Sequence, residues 1–459
     1  MPDKDELFYS KKSAYDALSE EEIALAEVYC AEYKSFLDAA KTEREAVKEA
    51  IRLASGHGFV PLRRGMDLKS GSKVYSEIGG KALILAVIGE KPLTDGVNIA
   101  VGHIDAPRID LKQNPLNEDT ELAYFKTHYY GGIKKYQWVA QPLALHGLVI
   151  KKDGAAVDIV IGEDEADPAF VITDLLPHLD KDQSKKTLAD AFTGENLNIL
   201  IGSRPTGETK EKDRVKHTVM AILNEKYGIT EEDFMSAELE AVPLMRARDA
   251  GLDRSMIIAY GHDDRSCAYA ALRAILDLDE PPMTAVCVLA DKEETGSDGV
   301  SSMQSAMFED FMEELCESTG ARLRDCFKAS FCLSGDVCNA FDPNFADVSD
   351  KQNSAMLGSG IGVEKYGGSR GKYNSSDASP ETIAMLRSLF AEKGVVWQMA
   401  ELGKVDQGGG GTVAKFMAKR NIETIDAGVP VLSMHAPYEV VSKLDCYMAY
   451  KGISAIYGR

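Results

Sequence analysis

Residues 284–297 read TAVCVLADKEETGS: a mostly apolar run of strand length, Thr284–Ala290, leads directly into Asp291-Lys292-Glu293-Glu294. Such a run, without polar alternation, reads as a strand buried on both faces, the pattern of a parallel sheet. The acids after it would then stand at the carboxyl end of that strand, where open α/β sheets bind their ligands.

Runs of the same kind recur at 82–88, 97–101, 256–260, 329–333, 395–400 and 429–432, many near helix-like stretches such as 267–278 and 380–392. The pattern predicts an α/β fold, a mixed, mostly parallel sheet covered by helices. Ser19-Glu20-Glu21-Glu22 ahead of Ile23, Ala24, Ala26 and Val28 is a capping box, so an amphipathic helix opens there. Between 106 and 250 the texture changes to Pro, Gly and charge with short alternating segments at 143–151 and 156–161. We therefore expect a catalytic domain from 1–105 and 251–459 and an inserted, strand-rich domain at 106–250. Residues 206–225 are too polar for core and read as an exposed loop running into a helix.

Metal-ligand side chains follow five of these runs: His103 in VGHIDAPR, Asp263 in YGHDDRS, Glu293-Glu294, Asp336 in LSGDVCN and His435 in VLSMHAPYE. Two histidines with several carboxylates suit zinc, manganese or cobalt, and the supply is large enough for two ions sharing a bridging carboxylate. Two such ions polarise a carbonyl and acidify a shared water, which is amide hydrolysis chemistry. If Glu293-Glu294 is extended, its side chains point to opposite sides, so one would ligate while the other serves as general base. Asp105 would accept a hydrogen bond from the His103 nitrogen that does not touch metal. The glycine runs at 358–362 and 408–411 lack the spacing of a phosphate loop and read as turns shaping a pocket.

The formal charge of −21, from 52 basic and 73 acidic residues among 459, argues against a nucleic-acid or anionic-membrane partner. Eight cysteines form no C-x-x-C pair, which fits a reducing compartment better than a disulfide framework. The first residues lack the apolar stretch of a signal peptide, and no run reaches the ~18 apolar residues of a membrane span. A soluble, cytoplasmic protein is expected.

Taken together, His103-x-Asp105, Asp263-Asp264-Arg265-Ser266-Cys267, residues 291–297, Ser334-Gly335-Asp336 and Ser433-Met434-His435 resemble, in order and spacing, the aspartyl aminopeptidase family of co-catalytic zinc exopeptidases. The resemblance runs over nearly the whole chain. It implies that His103 and Asp336 hold one metal, Glu294 and His435 the other, that Asp263 bridges them, and that Glu293 is the base. Asp264 stands where many members carry Asn, so two adjacent acids compete for the bridging role. Tyr130-Gly131-Gly132-Ile133 with Trp138 resembles the entry to the family's dimerisation domain. Residues 175–179 resemble a segment that sends a histidine, here His178, into the neighbouring subunit's active site. The family builds a tetrahedral dodecamer from such dimers. Asp342 and Glu364 fall where acid-preferring members carry a His and a Lys that bind substrate; two acids there imply a neutral or basic preference.

These readings converge on a metalloaminopeptidase acting on peptides with a free N-terminus. A carboxypeptidase or deacylase on the same metal core is the nearest rival, separated by whether N-acetylation blocks cleavage. A non-catalytic metal-binding scaffold is the second, and it would have no use for Glu293.

Overall fold

The computed structural model describes residues 7–9, 11–208 and 211–459. Contacts divide the chain into two compact units. One comprises residues up to Asp105, Ala247–Met434 and Glu439–Arg459; the other comprises Ala106–Arg246 with His435–Tyr438.

The first unit is built on a nine-stranded sheet. Its strands, in chain order, are β1 (Val60–Pro61), β2 (Lys73–Ile78), β3 (Ala82–Val87), β4 (Asn98–His103), β5 (Ala285–Ala290), β6 (Phe331–Ser334), β7 (Ile361–Glu364), β8 (Trp397–Met399) and β9 (Glu423–Gly428). They lie side by side as β1-β2-β3-β5-β4-β6-β9-β7-β8. The central four, β5, β4, β6 and β9, are mutually parallel, with antiparallel neighbours β3 and β7 on either side. All six residues of β3, β4 and β5 are buried.

Period-two alternation sorts these residues onto two faces. Leu83, Leu85, Val87, Cys287 and Leu289 join a core with helices α1 (Glu20–Ala39), α2 (His262–Leu276) and α4 (Lys443–Tyr457). Ile84, Ala86, Val286 and Val288 join another with Phe308, Phe311 and Met312 of helix Met307–Thr319 and with Phe416 and Met417 of α3 (Ala414–Lys419). Helix α1 opens on the expected capping box, Ser19 and Glu22 exchanging side-chain to backbone hydrogen bonds.

Two expected strands of that sheet belong elsewhere. Met256–Ala259 and Pro430–Leu432 lie in a separate five-stranded sheet, because both pair antiparallel with Glu439–Ser442. The glycine run read as a turn at 358–362 leads into β7, with Ile361 and Gly362 already in the strand. The junction between units falls after Arg246 rather than at 250, since Arg248–Ala250 pairs with Met256–Ala259.

The second unit holds a seven-stranded, fully antiparallel sheet that includes Leu143–Ile150 and Ala156–Ile161. The polar stretch near 206–225 leads into helix Arg214–Tyr227. All eight cysteines are free and buried. Among the described residues no helix is long and apolar enough to cross a membrane.

Candidate active site

His103 is the last residue of β4, and the glycine before it sets how closely α2 can pack. A Cβ at Gly102 would lie 2.8 Å from the Cα of Ala268 on α2. The buried imidazole has its Nδ1 3.0 Å from the Asp105 carbonyl oxygen and 3.2 Å from the Asp105 carboxylate. Both partners are acceptors there, so Nδ1 carries a proton, and Nε2 faces carboxylate oxygens as well. Nε2 lies 3.2 Å from Asp263 Oδ1 and 3.9 Å from Asp336 Oδ1. Burial alone would depress the His103 pKa, but the hydrogen bonds to Asp105 and Asp263 and the nearby charge raise it well above the usual value.

The two adjacent acids at the start of α2 diverge. Asp263 faces His103, while its own N–H donates to Glu439 Oε2 at 3.0 Å. Asp264 instead accepts the His103 backbone N–H at 3.3 Å, and burial pushes its carboxyl pKa far up. Asp336, just past β6, is held against the end of β9, where a Cβ at Gly428 would fall 1.8 Å from the Asp336 carbonyl oxygen. Burial, with the charges of Asp264, Glu293 and Asp263 around it, raises the Asp336 pKa strongly.

Glu293 and Glu294 are not extended. Lys292 takes a left-handed conformation and Glu293–Thr295 forms a 3₁₀ turn, so adjacent side chains diverge by roughly 120° rather than by a strand's half turn. Asp105 fixes that turn: its two carboxylate oxygens accept the N–H groups of Glu293 at 3.1 Å and Glu294 at 3.2 Å. Burial leads the causes that raise the Glu293 pKa. Asp291, just before the turn, accepts the Ser301 hydroxyl at 2.6 Å, and burial with the charges of Glu43 and Asp105 lifts its pKa to about 6.

His103, Asp263 and Asp336 each offer a ligand atom, all within 4.8 Å of one another, and a carboxylate oxygen of Glu294 comes within the same distance of one on Asp263. One imidazole among crowded carboxylates is a donor set that fits a divalent cation, which would displace the Nε2 proton and offset the carboxylate charge. His435 belongs to the second unit, where its Nδ1 lies 2.8 Å from the Gly132 carbonyl oxygen.

The remaining expected residues are less converged. His178 is exposed beside the exposed Leu175, Leu176 and Leu179. Asp342 caps the turn at Pro343–Val348, accepting Asn344 N–H at 2.8 Å. Glu364, the last residue of β7, has its pKa lifted to about 8 by burial and by the charges of Asp426 and Glu401. Lys365 pairs with Asp377 at 2.6 Å.

Sequence reading had given no part to Glu439, which holds the Asp263 backbone, or to Asp291. Glu439 was visible as the last letter of SMHAPYE, but nothing in the spacing announces that it reaches another strand's loop.

The family model "Aminopeptidase I zinc metalloprotease (M18)" matches residues 36–457. The "Probable M18 family aminopeptidase 1" of Clostridium acetobutylicum is 49% identical over 458 residues, covering 98% of each chain. The crystal structure of the M18-family aminopeptidase from Thermotoga maritima superposes with a TM-score of 0.93 at 44% identity, covering 98% of this chain and 99% of that one. Structures only about a fifth identical show the fold alone; one is the S. cerevesiae mApe1 dodecamer, 21% identical with a TM-score of 0.75 and covering 95% of this chain and 97% of that one. With a family model spanning most of its length and a near-full-length relative at this identity, the chain belongs to the M18 family of zinc metalloproteases, the aminopeptidase I family.

Proposed function

We propose that this aminopeptidase removes single residues from peptide N-termini through a site for two divalent cations, zinc by family. In this reading His103 and Asp336 hold one ion, Glu294 and His435 hold the other, and Asp263 bridges. When bound, the ions polarise the scissile carbonyl and acidify water. Glu293 takes the proton of the attacking water and returns it to the leaving amine. The observation that carries this reading is the triple engagement of Asp105, which holds the His103 imidazole and the backbone of both Glu293 and Glu294, so one carboxylate orients a ligand and the base together. The test is cleavage of a leucyl peptide against its N-acetylated form. Cleavage only of the free amine is expected, whereas cleavage of both would favour a deacylase or endopeptidase reading.

We further propose a preference for neutral or basic N-terminal residues. Asp342 is engaged as a turn cap, so Glu364 is left to set the charge. Its carboxyl is held up to about 8, so at neutral pH it is mostly uncharged and above that pH it becomes an anion that attracts a cationic side chain. The ratio of kcat/KM for lysyl over leucyl substrates should therefore rise between pH 7 and 9; the shared α-amine cancels in the ratio. A flat ratio, or an enzyme that prefers aspartyl substrates, would remove Glu364 from this role.

The 106–246 unit is proposed to mediate dimerisation, with His178 reaching the neighbouring subunit's site and the dimers assembling into a dodecamer. The exposed leucines around His178 support an interface there. Eight free cysteines fit a reducing, cytoplasmic setting.

A further inference from the structure

Most of the side chains converging on the site are acidic, and one nearby cation has no assigned role. Helix α3 runs back along β9, which is parallel to β6, so the first turn of α3 lies at the same carboxyl edge that presents His103 and Asp336. The Thr412 hydroxyl anchors the segment before the helix by donating to Asp426 Oδ1 of β9 at 2.7 Å. Lys415 sits on that first turn. Its ammonium folds over bare backbone: a Cβ at Gly411 would lie 3.2 Å from Nζ. Among the described residues Lys415 has neither an ion pair nor a hydrogen bond, and its Nζ lies 4.9 Å from the centroid of the Phe416 ring. The side chain is half-buried. Its positive charge acts on Glu293.

A lysine without a protein counter-ion at this edge of the sheet is placed to pair with an anion that a ligand supplies. In peptide hydrolysis by an N-terminal exopeptidase, Glu293 is on the side of the leaving amine, because it returns the proton there. The first anion on that side of a short substrate is the carboxylate of the residue after the scissile bond, present only in a dipeptide.

We propose that Lys415 binds the free carboxylate of the second residue of a dipeptide, making dipeptides favoured substrates. The proposal rests on the aminopeptidase reading above and assigns a specificity-determining residue within it.

The experiment compares kcat/KM for Leu-Leu and Leu-Leu-amide in the metal-loaded wild type, Lys415→Gln and Lys415→Arg. The wild type should favour the free acid by at least about tenfold, the factor typical of a hydrogen bond between charged groups. Lys415→Gln should bring the ratio near one, chiefly through KM, and Lys415→Arg should keep most of it. A wild-type ratio near one overturns the proposal while leaving the aminopeptidase reading intact, and so does a Lys415→Gln enzyme that keeps the wild-type ratio. Failure of the wild type to cut either peptide or leucine p-nitroanilide overturns both.

Discussion

Asp105 is short enough that its two oxygens reach the His103 ring and two backbone N–H groups of the turn that carries Glu293 and Glu294. Asn at that position offers a single acceptor oxygen and no charge, so one of those hydrogen bonds is lost. Asp105→Asn should weaken zinc binding by roughly 10- to 100-fold, as losses of ligand-orienting partners typically do. Competition against a chromogenic chelator measures it, and unchanged affinity would mean that the turn holds itself. Glu293→Gln is the complementary case, since it keeps shape and metal ligands but cannot accept a proton. Turnover should drop by at least ~10²-fold, with metal content by elemental analysis unchanged; near-normal turnover would take the base role from Glu293. Both residues stand out in the sequence as candidates because each follows an apolar run. Their geometry was not: the 3₁₀ turn depends on a left-handed Lys292, and no local signal in DKEETGS marks that conformation.

At the scale of elements, the β3, β4 and β5 strands were readable because burial on both faces demands unbroken apolar sequence. Lys73–Ile78 and Glu423–Gly428 escaped notice because they carry polar residues within the strand. Met256–Ala259 and Pro430–Leu432 lie outside the nine-stranded sheet for a different reason, since which strands pair is set by non-local contacts that a local apolar run does not reveal. Two element-scale outcomes follow. Gly102→Ala places a Cβ 2.8 Å from the α2 backbone, which cannot yield as a side-chain tip can, so destabilisation of about 1–3 kcal/mol is expected by denaturant unfolding. Wild-type stability there would mean that α2 shifts freely. In α4, Asp445 accepts the N–H groups of Gly358 and Gly360 at 2.7 Å each, yet burial lifts its pKa to about 8. The folded state thus binds a proton that the unfolded chain releases near pH 4, so the contribution is complete below that pH and is lost as pH rises toward 8. Glu364 and Asp426 act in the same direction. Unfolding midpoints of wild type should fall between pH 5 and 8, and Asp445→Asn should flatten part of that slope; an identical slope would remove Asp445 as its source.

For the whole molecule, the change in texture near 106 and 250 made a two-part chain legible, but the return of His435–Tyr438 to the second unit was not, since those residues sit far along in sequence. If the 106–246 unit carries the assembly, deleting it should give a smaller particle by light scattering and an inactive one. His178→Ala with full activity in an intact oligomer would end the proposed cross-subunit role. The central claim, two ions bridged by Asp263, is tested most directly by zinc stoichiometry on purified wild type and Asp263→Asn, with circular dichroism to verify folding. The account predicts two zinc ions per chain in the wild type and fewer than one in the variant, since loss of a bridge weakens both positions. One ion in the wild type, or two retained in Asp263→Asn, would contradict it.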